Sequence, residues 1–331
     1  MPDMTLSAPA PFDFAATARF LRFSETEAVD TFKANRYARA IPFGEQLFLL
    51  TVEAQAAATN AKTNRTLNVK LMPEQFVTAQ ISDEAARTVR RMFSLEHDLA
   101  AASKRLARDP LMRQLESEHH GLRLARWPSL FEALLTSILL QQIATAAAIT
   151  IRRRVVERYG ARLEAEGDTF YAFPRAAALA RVEVAKLRTL GLSNAKATSI
   201  SELARACAAG ELDAESLAGE DNESVIARLS GLRGVGRWTA EWALMLYFGR
   251  SDVFPAADLF LRGAVVKYYN AGAAMNEREI RAFAQKRWGT WSSYAALYML
   301  AGMRAGSITL KPERVLSSRQ AAAPKRAGKL T

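Results

Sequence analysis

The chain has 331 residues, enough for about two domains of ordinary size, and half of the residues are apolar, which excludes a disordered chain. A single cysteine, Cys207, excludes a disulfide scaffold and any zinc or iron–sulfur site that needs four cysteines. The 45 lysines and arginines outnumber the 34 acidic residues, and the net charge of +11 predicts an anionic partner such as DNA, RNA or a membrane surface.

The N-terminal segment MPDMTLSAPA has no basic stretch followed by an apolar one, so we expect no signal peptide. Residues 37–54 and the alternating segment TLNVKLM at 66–72 are typical of strands, and a small polar loop separates them. Apolar residues recur at helical spacing over 82–93, where Ser82 is a suitable N-cap. These patterns predict an α+β domain over residues 1–105.

Strand patterns give way to helical ones after residue 105, which predicts a helical domain over residues 106–310. The predicted helices cover residues 110–118, 129–159, 182–190, 195–209, 224–229, 238–248, 258–268, 277–288 and 292–304. Gly160, Gly191 and Gly249 stand where a helix end needs a left-handed residue. Residues 311–331 carry six basic side chains against one acidic, and we interpret them as a basic disordered tail.

One segment has the length of a membrane span. Residues 133–151 contain no charged side chain, but Gln141 and Gln142 would place two amides near the middle of a bilayer. Because a helix that is apolar all round is also typical of a protein core, we predict a buried central helix instead.

A hairpin between two helices is the sharpest local feature. In LSGLRGVGRWTA at 229–240, Gly234 and Gly236 bracket the turn and allow positive φ and a close approach of the backbone to a ligand. The free N–H groups at the head of the second helix predict an anion site the size of a phosphate. Taken alone, the two glycines fit an ordinary helical corner better than an anion site.

An aspartate follows the hairpin at a helix start. Asp258 comes 20 residues after Trp238, after DVFPAA and before LFLRGAVV, so it is a natural N-cap. A helix between the hairpin and this aspartate would bring the anion site and the carboxylate to one cleft, where the helix dipole keeps the carboxylate ionised.

These motifs, in this order, resemble those of the helix-hairpin-helix (HhH-GPD) DNA glycosylases, and most closely the bacterial branch that repairs alkylated DNA. The resemblance covers most of the chain. It includes PFDF at 11–14, YARAI at 37–41, FEALLTSILLQQI at 131–143, LRTLGLSNAKA at 187–197, GVGRWTA at 234–240, DVFPAAD at 252–258 and YAAL at 294–297. The resemblance implies an N-terminal antiparallel sheet with flanking helices, followed by two helical lobes with the active-site cleft between them.

The resemblance also implies an activity. The family flips a damaged nucleotide out of duplex DNA, because its glycosidic carbon is unreachable within the base stack. Asp258 matches the catalytic aspartate, which stabilises the sugar cation and orients water. Trp238 and Trp242 match aromatic residues of the base pocket, and they suit a cationic alkylated purine. Relatives that also cut the backbone carry lysine at position 238, so tryptophan predicts a monofunctional enzyme without lyase activity.

Several DNA contacts are carried over in the same way. Gln142 matches the residue that wedges into the gap left by the flipped nucleotide, although the two glutamines also fit the end of an apolar helix run. The expected hairpin contacts to DNA come from Arg233, Gly234, Gly236, Arg237 and Thr239. The carbonyl oxygens of Ser230, Leu232 and Val235 match a monovalent cation site, for Na⁺ or K⁺, and no other cofactor is expected.

Two positions depart from the family pattern. Leu300 stands where a tryptophan forms the far wall of the pocket, so the order of preference among 3-methyladenine, 7-methylguanine, hypoxanthine and ethenoadenine stays open. Tyr298, Phe131 and Tyr294 are candidates to replace that wall. Arg233 stands where proline is usual, and it adds a cation beside the anion site.

We therefore expect a monomer of the cytoplasm, associated with the nucleoid, that acts on double-stranded DNA. The alternative is a non-catalytic protein of the same fold that binds damaged DNA. Asp258 disfavours the alternative, because a carboxylate in the cleft weakens the binding of a polyanion. The arginine runs 152–154 and 87–91 fit solvated faces better than DNA contacts. The pair His119–His120 is a poor metal site, because adjacent residues of a helix point in different directions.

Overall fold

A computed structural model describes residues 4–22, 24–26, 28–55 and 64–310 of the chain. Its strands are β1 (Met4–Ala8), β2 (Asp30–Lys33), β3 (Arg36–Phe43), β4 (Gln46–Ala54), β5 (Arg65–Met72), β6 (Arg162–Ala165) and β7 (Asp168–Tyr171). Its α-helices are α1 (Phe14–Leu21), α2 (Ala79–Met92), α3 (Leu99–Leu106), α4 (Pro110–Glu118), α5 (Leu130–Leu140), α6 (Thr145–Tyr159), α7 (Ala176–Ala180), α8 (Val184–Arg188), α9 (Asn194–Ala208), α10 (Ala214–Ala218), α11 (Asn222–Ser230), α12 (Arg237–Ala243), α13 (Leu259–Tyr269), α14 (Glu277–Trp288) and α15 (Ser292–Ala305). The predicted basic tail, residues 311–331, lies outside the described residues.

The N-terminal part is an antiparallel five-stranded sheet with the order β1-β5-β4-β3-β2. Alternating residues of these strands, such as Leu50 and Val52, pack with α1 and α2 in one core cluster, because successive side chains of a strand point to opposite faces. Leu49 and its neighbours on the other face pack against Phe170 and Ala172 of the β6–β7 segment. The predicted α+β class is confirmed.

The helical part has two cores with α12 between them. One cluster gathers apolar residues of α5, α6, α9, α11 and α12, and the other gathers those of α3, α4, α13, α14 and α15. Ala240 and Leu244 belong to the first cluster, while Met245 belongs to the second and Trp242 packs against it. The helix that follows the hairpin therefore forms part of the boundary between the two lobes.

A buried ionic network joins the sheet to the first lobe. Glu132 on α5 accepts hydrogen bonds from Arg39 of β3 at 2.5 Å and from Arg152 of α6 at 2.6 Å. Arg39 also lies 3.5 Å from Asp30 of β2. Burial raises the pKa of Asp30, against the attraction of the arginines. This network fixes α5 and α6 against the sheet and against each other.

The prediction of one helix over residues 129–159 is wrong. Helix α5 ends at Leu140, and α6 begins at Thr145 after a break in which Gln142 has φ +53°. Helix α5 is buried as predicted, but residues 142–147 are exposed. Within the described part of the chain, no helix is both long and apolar enough to cross a membrane.

Smaller corrections concern helix ends and strands. Helix α2 begins at Ala79, and its N-cap is Thr78 rather than Ser82, because the Thr78 hydroxyl accepts the N–H of Ile81. Gly160 has φ −74° and does not end its helix in the left-handed region, whereas Gly191 and Gly249 have positive φ as predicted. Strands β6 and β7 lie beyond residue 105, where only helices were predicted.

The predicted domain boundary at residue 105 falls inside α3. Leu99, Ala102 and Leu106 of this helix are buried in the cluster of the second helical lobe. In the other direction, Phe20 of α1 packs against both the sheet core and the second lobe. The sheet and the lobes therefore share apolar surface along this border.

Candidate active site and nucleic-acid interface

The hairpin is the six-residue segment 231–236 between α11 and α12. Gly234 has φ +79°, and a Cβ there would lie 2.4 Å from the buried Ser199 hydroxyl oxygen, so this turn needs glycine. Gly236 has φ −95°, so the prediction of positive φ at both glycines is wrong at this position. A Cβ at Gly236 would meet nothing within 4 Å, which leaves open space in front of the N-terminus of α12.

The N-terminus of α12 carries no side-chain cap. Its N-cap is Gly236, whose carbonyl accepts the N–H of Ala240 at 3.0 Å. The N–H groups of residues 237–239 have no partner inside the helix, because the first turn of any helix lacks them. These donors and the open space beside Gly236 form a surface suited to a phosphate oxygen.

Asp258 caps α13 and is half buried. Its Oδ1 accepts the N–H groups of Phe260 and Leu261, each at 3.0 Å, so the N-cap prediction is confirmed. One carboxylate oxygen is thus held in place by the helix, while the other, Oδ2, points toward the indole of Trp238.

Trp238 joins the hairpin helix to this carboxylate. Its Nε1 lies 3.4 Å from Asp258 Oδ2, which makes a long hydrogen bond. Its ring meets that of Trp242 edge to face, with centroids 6.2 Å apart. Trp242 Nε1 is buried without a hydrogen-bond partner in the described part of the chain. The two indoles and the carboxylate therefore lie next to one another at the lobe boundary.

The loop of residues 141–144, here called the α5–α6 loop, lies beside the hairpin. Gln142 is exposed in it, and Ile143 is 37% exposed. Gln141 turns the other way: its Nε2 donates to the Gly234 carbonyl at 2.8 Å and to the Thr239 hydroxyl at 2.9 Å. The hairpin and the exposed Gln142 are thus held together through the preceding residue.

Two of the expected hairpin contacts need correction. The Thr239 side chain is fully buried, and its hydroxyl accepts a hydrogen bond from Gln141, so only its backbone N–H can face a ligand. Arg237 is about one-third exposed and pairs with Glu223 and Glu241. Its guanidinium is held by two carboxylates and is not directed at the open space beside Gly236. Arg233 is 57% exposed and lies 3.8 Å from Glu202.

The carbonyls of Ser230, Leu232 and Val235 belong to the end of α11 and to the hairpin. The Leu232 carbonyl accepts the N–H of Val235 at 3.1 Å, which occupies one of its two lone pairs. Neutral carbonyl oxygens are suitable ligands for an alkali cation, and the expected site stays a prediction.

The structure excludes the expected replacements for the pocket wall at Leu300. Tyr294 and Tyr298 are fully buried in the second lobe, and Phe131 is buried in the first. Leu300 is partly buried and packs against the second cluster. None of these three rings is exposed beside the two indoles, because each is part of a core.

The structure also shows the partners of the arginine runs and of the histidine pair. Arg152 is neither a solvated residue nor a DNA contact, because it is buried against Glu132. Arg91 donates to the Pro128 carbonyl, while Arg153 pairs with Glu157 on its own helix. His120 pairs with Glu116, and the described residues contain no cluster of three side chains that could hold a metal ion.

Sequence reasoning missed three residues near this cleft. Gln141 was considered only as the end of an apolar run, although its amide is the group that meets the hairpin. Lys196 donates to the carbonyls of Leu139 and Gln141, and burial lowers its pKa. Leu259 is 75% exposed directly after Asp258, and an apolar residue at the first position of a helix after a polar cap was the available signal.

Comparison with known proteins agrees with this architecture. Residues 135–290 match the family model of the HhH-GPD superfamily base excision DNA repair protein, and residues 3–129 match that of the AlkA N-terminal domain. The chain is 27% identical over 297 residues to a DNA-3-methyladenine glycosylase of Bacillus subtilis, covering 89% of this chain and 95% of that one. It is 28% identical over 295 residues to the DNA-3-methyladenine glycosylase 2 of Escherichia coli, with coverage of 89% and 95%.

A solved structure is similar over nearly the whole chain. The 3-methyladenine DNA-glycosylase from Archaeoglobus fulgidus superposes with a TM-score of 0.79 at 25% identity, covering 92% of this chain and 100% of that one. The match extends over both the sheet domain and the helical lobes. The chain therefore belongs to the HhH-GPD superfamily of base excision DNA repair proteins and carries an N-terminal domain of the AlkA type.

Proposed function

We propose that this protein is a monofunctional DNA glycosylase that excises alkylated purines of the 3-methyladenine type from duplex DNA. The observation that carries the proposal is the half-buried carboxylate of Asp258 beside the Trp238 indole, one helix away from a hairpin that presents free N–H groups. The relatives named as 3-methyladenine glycosylases in Bacillus, Escherichia and Archaeoglobus support the substrate class.

The proposed reaction is hydrolysis of the N-glycosidic bond of a flipped nucleotide. An alkylated purine that already carries a positive charge leaves readily, so the enzyme mainly has to stabilise the positive sugar and provide water. Asp258 Oδ1 is held by two backbone N–H groups, so the carboxylate is oriented before the substrate arrives. A fixed negative charge facing the anomeric carbon stabilises the sugar cation and orients the attacking water.

The two indoles suit the proposed base. A cationic purine is attracted to the electron-rich face of an indole by about 0.5–2 kcal/mol, more as water leaves the pocket. The edge-to-face arrangement of Trp238 and Trp242 offers faces in two directions. Neither indole can form a Schiff base with the sugar, so the abasic strand is left uncut.

We infer that the hairpin binds the DNA backbone through its main chain. The open space at Gly236 and the free N–H groups of α12 suit a phosphate oxygen. The carbonyls of Ser230, Leu232 and Val235 would hold a Na⁺ or K⁺ ion, which would add positive charge for the DNA backbone. Gln142, exposed in the α5–α6 loop, would fill the gap left by the flipped nucleotide. The protein would act as a monomer on nucleoid DNA.

A protein of this fold that only binds damaged DNA is the second candidate. The oriented carboxylate argues against it. A fixed negative charge reduces the affinity for polyanionic DNA, and only a protein that uses the charge in catalysis gains from it.

Chromatography of the free bases released from methylated duplex DNA tests the proposal. Wild-type protein should release 3-methyladenine, and Asp258→Asn should release it at least about a hundredfold more slowly. DNA binding by wild type without release of any base from methylated or deaminated duplexes would favour the binding protein. The same chromatogram ranks the damaged bases.

A further inference from the structure

We propose that Gln141 is a positioning residue that couples the exposed Gln142 to the DNA-binding hairpin. The inference rests on the proposed function, and it assigns a role to a residue that neither the sequence nor the family resemblance singled out. The clamp, as we call it, consists of Gln141, Thr239, Lys196 and the carbonyl of Gly234.

Both donors of one amide group are used. Gln141 Nε2 lies 2.8 Å from the Gly234 oxygen and 2.9 Å from the Thr239 hydroxyl oxygen, although the two residues stand 93 and 98 positions away in the chain. Gly234 is the residue whose positive φ makes the turn, and Thr239 lies in the first turn of α12. The amide therefore joins the turn of the hairpin to the first turn of the helix that follows it.

The backbone of Gln141 is held from the opposite side. Lys196 Nζ donates to the Gln141 carbonyl at 2.6 Å and to the Leu139 carbonyl at 2.7 Å. These carbonyls lie at the end of α5, where no further helical N–H reaches them. With its side chain on the hairpin and its carbonyl on α9, Gln141 has little freedom to move.

These contacts also restrict Gln142, the next residue. Gln142 has φ +53°, a left-handed conformation that residues other than glycine rarely adopt, so its surroundings must hold it in this exposed position. A hairpin bound to a phosphate then sets the position of Gln142 through a single intervening residue. The clamp makes backbone binding and insertion into the base stack one coordinated step.

Only an amide satisfies this geometry. Both partners of the amide act as hydrogen-bond acceptors. One is the Gly234 carbonyl, and the other is the Thr239 hydroxyl, which can donate elsewhere while it accepts from Gln141. A glutamate at position 141 has the same shape but places oxygen against oxygen at Gly234. An alanine removes both hydrogen bonds without adding charge.

The test compares DNA binding with insertion. Wild type, Gln141→Glu, Gln141→Ala, Thr239→Val and Thr239→Ser are each titrated into an undamaged duplex, and into one that carries 2-aminopurine next to an abasic-site analogue. Fluorescence of 2-aminopurine reports unstacking beside the gap and requires no base excision. Gln114→Glu is the matched control, because Gln114 also donates through Nε2, to Glu118 on the exposed face of α4.

We expect Gln141→Ala to bind undamaged duplex within about threefold of wild type, and both Gln141 variants to lose roughly tenfold in unstacking, the size of two lost net hydrogen bonds. Thr239→Val should show about half of this loss of unstacking on a logarithmic scale. Thr239→Ser keeps the acceptor, so its unstacking should equal that of wild type. The double variant Gln141→Ala/Thr239→Val should be no worse than Gln141→Ala alone, because both changes remove the same contact.

Unstacking that equals wild type in Gln141→Ala would overturn the proposal, as would a parallel loss of binding, unstacking and melting temperature in every variant. Should the Gln141 variants fail to fold, the contrast between Thr239→Val and Thr239→Ser decides. A wild type that unstacks the duplex but releases no alkylated base would contradict the proposed function and leave the clamp supported.

Discussion

The indole Nε1 of Trp238 lies 3.4 Å from Oδ2 of Asp258, while the other oxygen of that carboxylate accepts two N–H groups of α13. The two residues stand on different helices, so the contact fixes the hairpin helix against the helix that carries the carboxylate. A substrate that enters the cleft meets a carboxylate whose orientation is already set from both sides.

Replacing Asp258 with asparagine should separate chemistry from binding. Asparagine is as good an N-cap as aspartate, so the unfolding free energy should change by less than about 1 kcal/mol. The negative charge is lost, and single-turnover base release should fall by roughly two orders of magnitude or more while DNA affinity stays equal or rises.

The control is Asp213→Asn. Asp213 also caps a short helix through a backbone N–H, at an exposed site on α10. Its loss should leave base release unchanged. An unchanged rate in Asp258→Asn would remove the carboxylate from the mechanism.

Trp238 should prevent strand cleavage. Because no amine stands at position 238, borohydride added during the reaction should trap no covalent complex between protein and DNA. Lys196 is the amine of the clamp, and its Nζ is engaged by two carbonyls. A trapped adduct on a denaturing gel would contradict the monofunctional assignment, and its loss in Lys196→Arg would identify the amine.

Alanine at the two hairpin glycines should have different effects: at Gly234 it should lower stability, and at Gly236 it should lower DNA affinity. Gly234→Ala forces a side chain into positive φ and against Ser199, so it should lower the unfolding free energy by at least about 2 kcal/mol. Gly236→Ala has an ordinary φ and open space, so it should cost less than about 1 kcal/mol.

The added methyl at Gly236 would stand where we propose the phosphate. DNA affinity should therefore fall on the order of tenfold, equal to ~1.4 kcal/mol. Chemical denaturation and a duplex titration measure the two effects. Wild-type affinity in Gly236→Ala would place the phosphate elsewhere.

His97 should make stability depend on pH. Burial lowers the pKa of His97 to about 4, against the attraction of Glu96 and together with the repulsion of Arg126 and Arg123. The unfolded chain therefore binds a proton more tightly than the folded one, and stability that is complete above about pH 6.5 is lost as the pH falls toward 4, by up to about 3 kcal/mol. Its Nδ1 lies 2.9 Å from the Tyr294 hydroxyl.

Unfolding free energies measured every half unit of pH give the slope of stability against pH. Between pH 4 and 6.5, His97→Gln should reduce the number of protons taken up on unfolding by up to one, whatever its effect on stability at neutral pH. Identical slopes in wild type and variant would show that His97 titrates normally in the folded protein.

The buried network at Glu132 should be expensive to break. Glu132→Gln leaves the guanidiniums of Arg39 and Arg152 without their shared carboxylate, so the unfolding free energy should fall by about 3–5 kcal/mol. Glu157→Gln removes an exposed pair with Arg153 on the same lobe and should cost less than about 1 kcal/mol. Denaturant titration of both variants compares them, and equal small losses would contradict the role of the network.

The sequence predicted elements whose signals are local. Helix α14 and helix α4 have the predicted bounds, because helical spacing of apolar residues acts over a few residues. In the structure Asn276 caps α14 and Asp109 caps α4. The break after Leu140 was not predicted, since the uncharged run around it contains neither glycine nor proline. At that break Gln141 contacts Lys196 and the hairpin, which lie far from it in the sequence.

The chemical groups near the hairpin and their order along the chain could be identified from the sequence. Their final positions depend on the folded chain: Trp238 contacts Asp258, Gln141 holds the hairpin while Gln142 is exposed, and Arg237 pairs with carboxylates. Capping and helix periodicity act over a few residues and can be recognised in the sequence. Burial and pairing depend on residues far apart in the chain, which only the folded structure brings together.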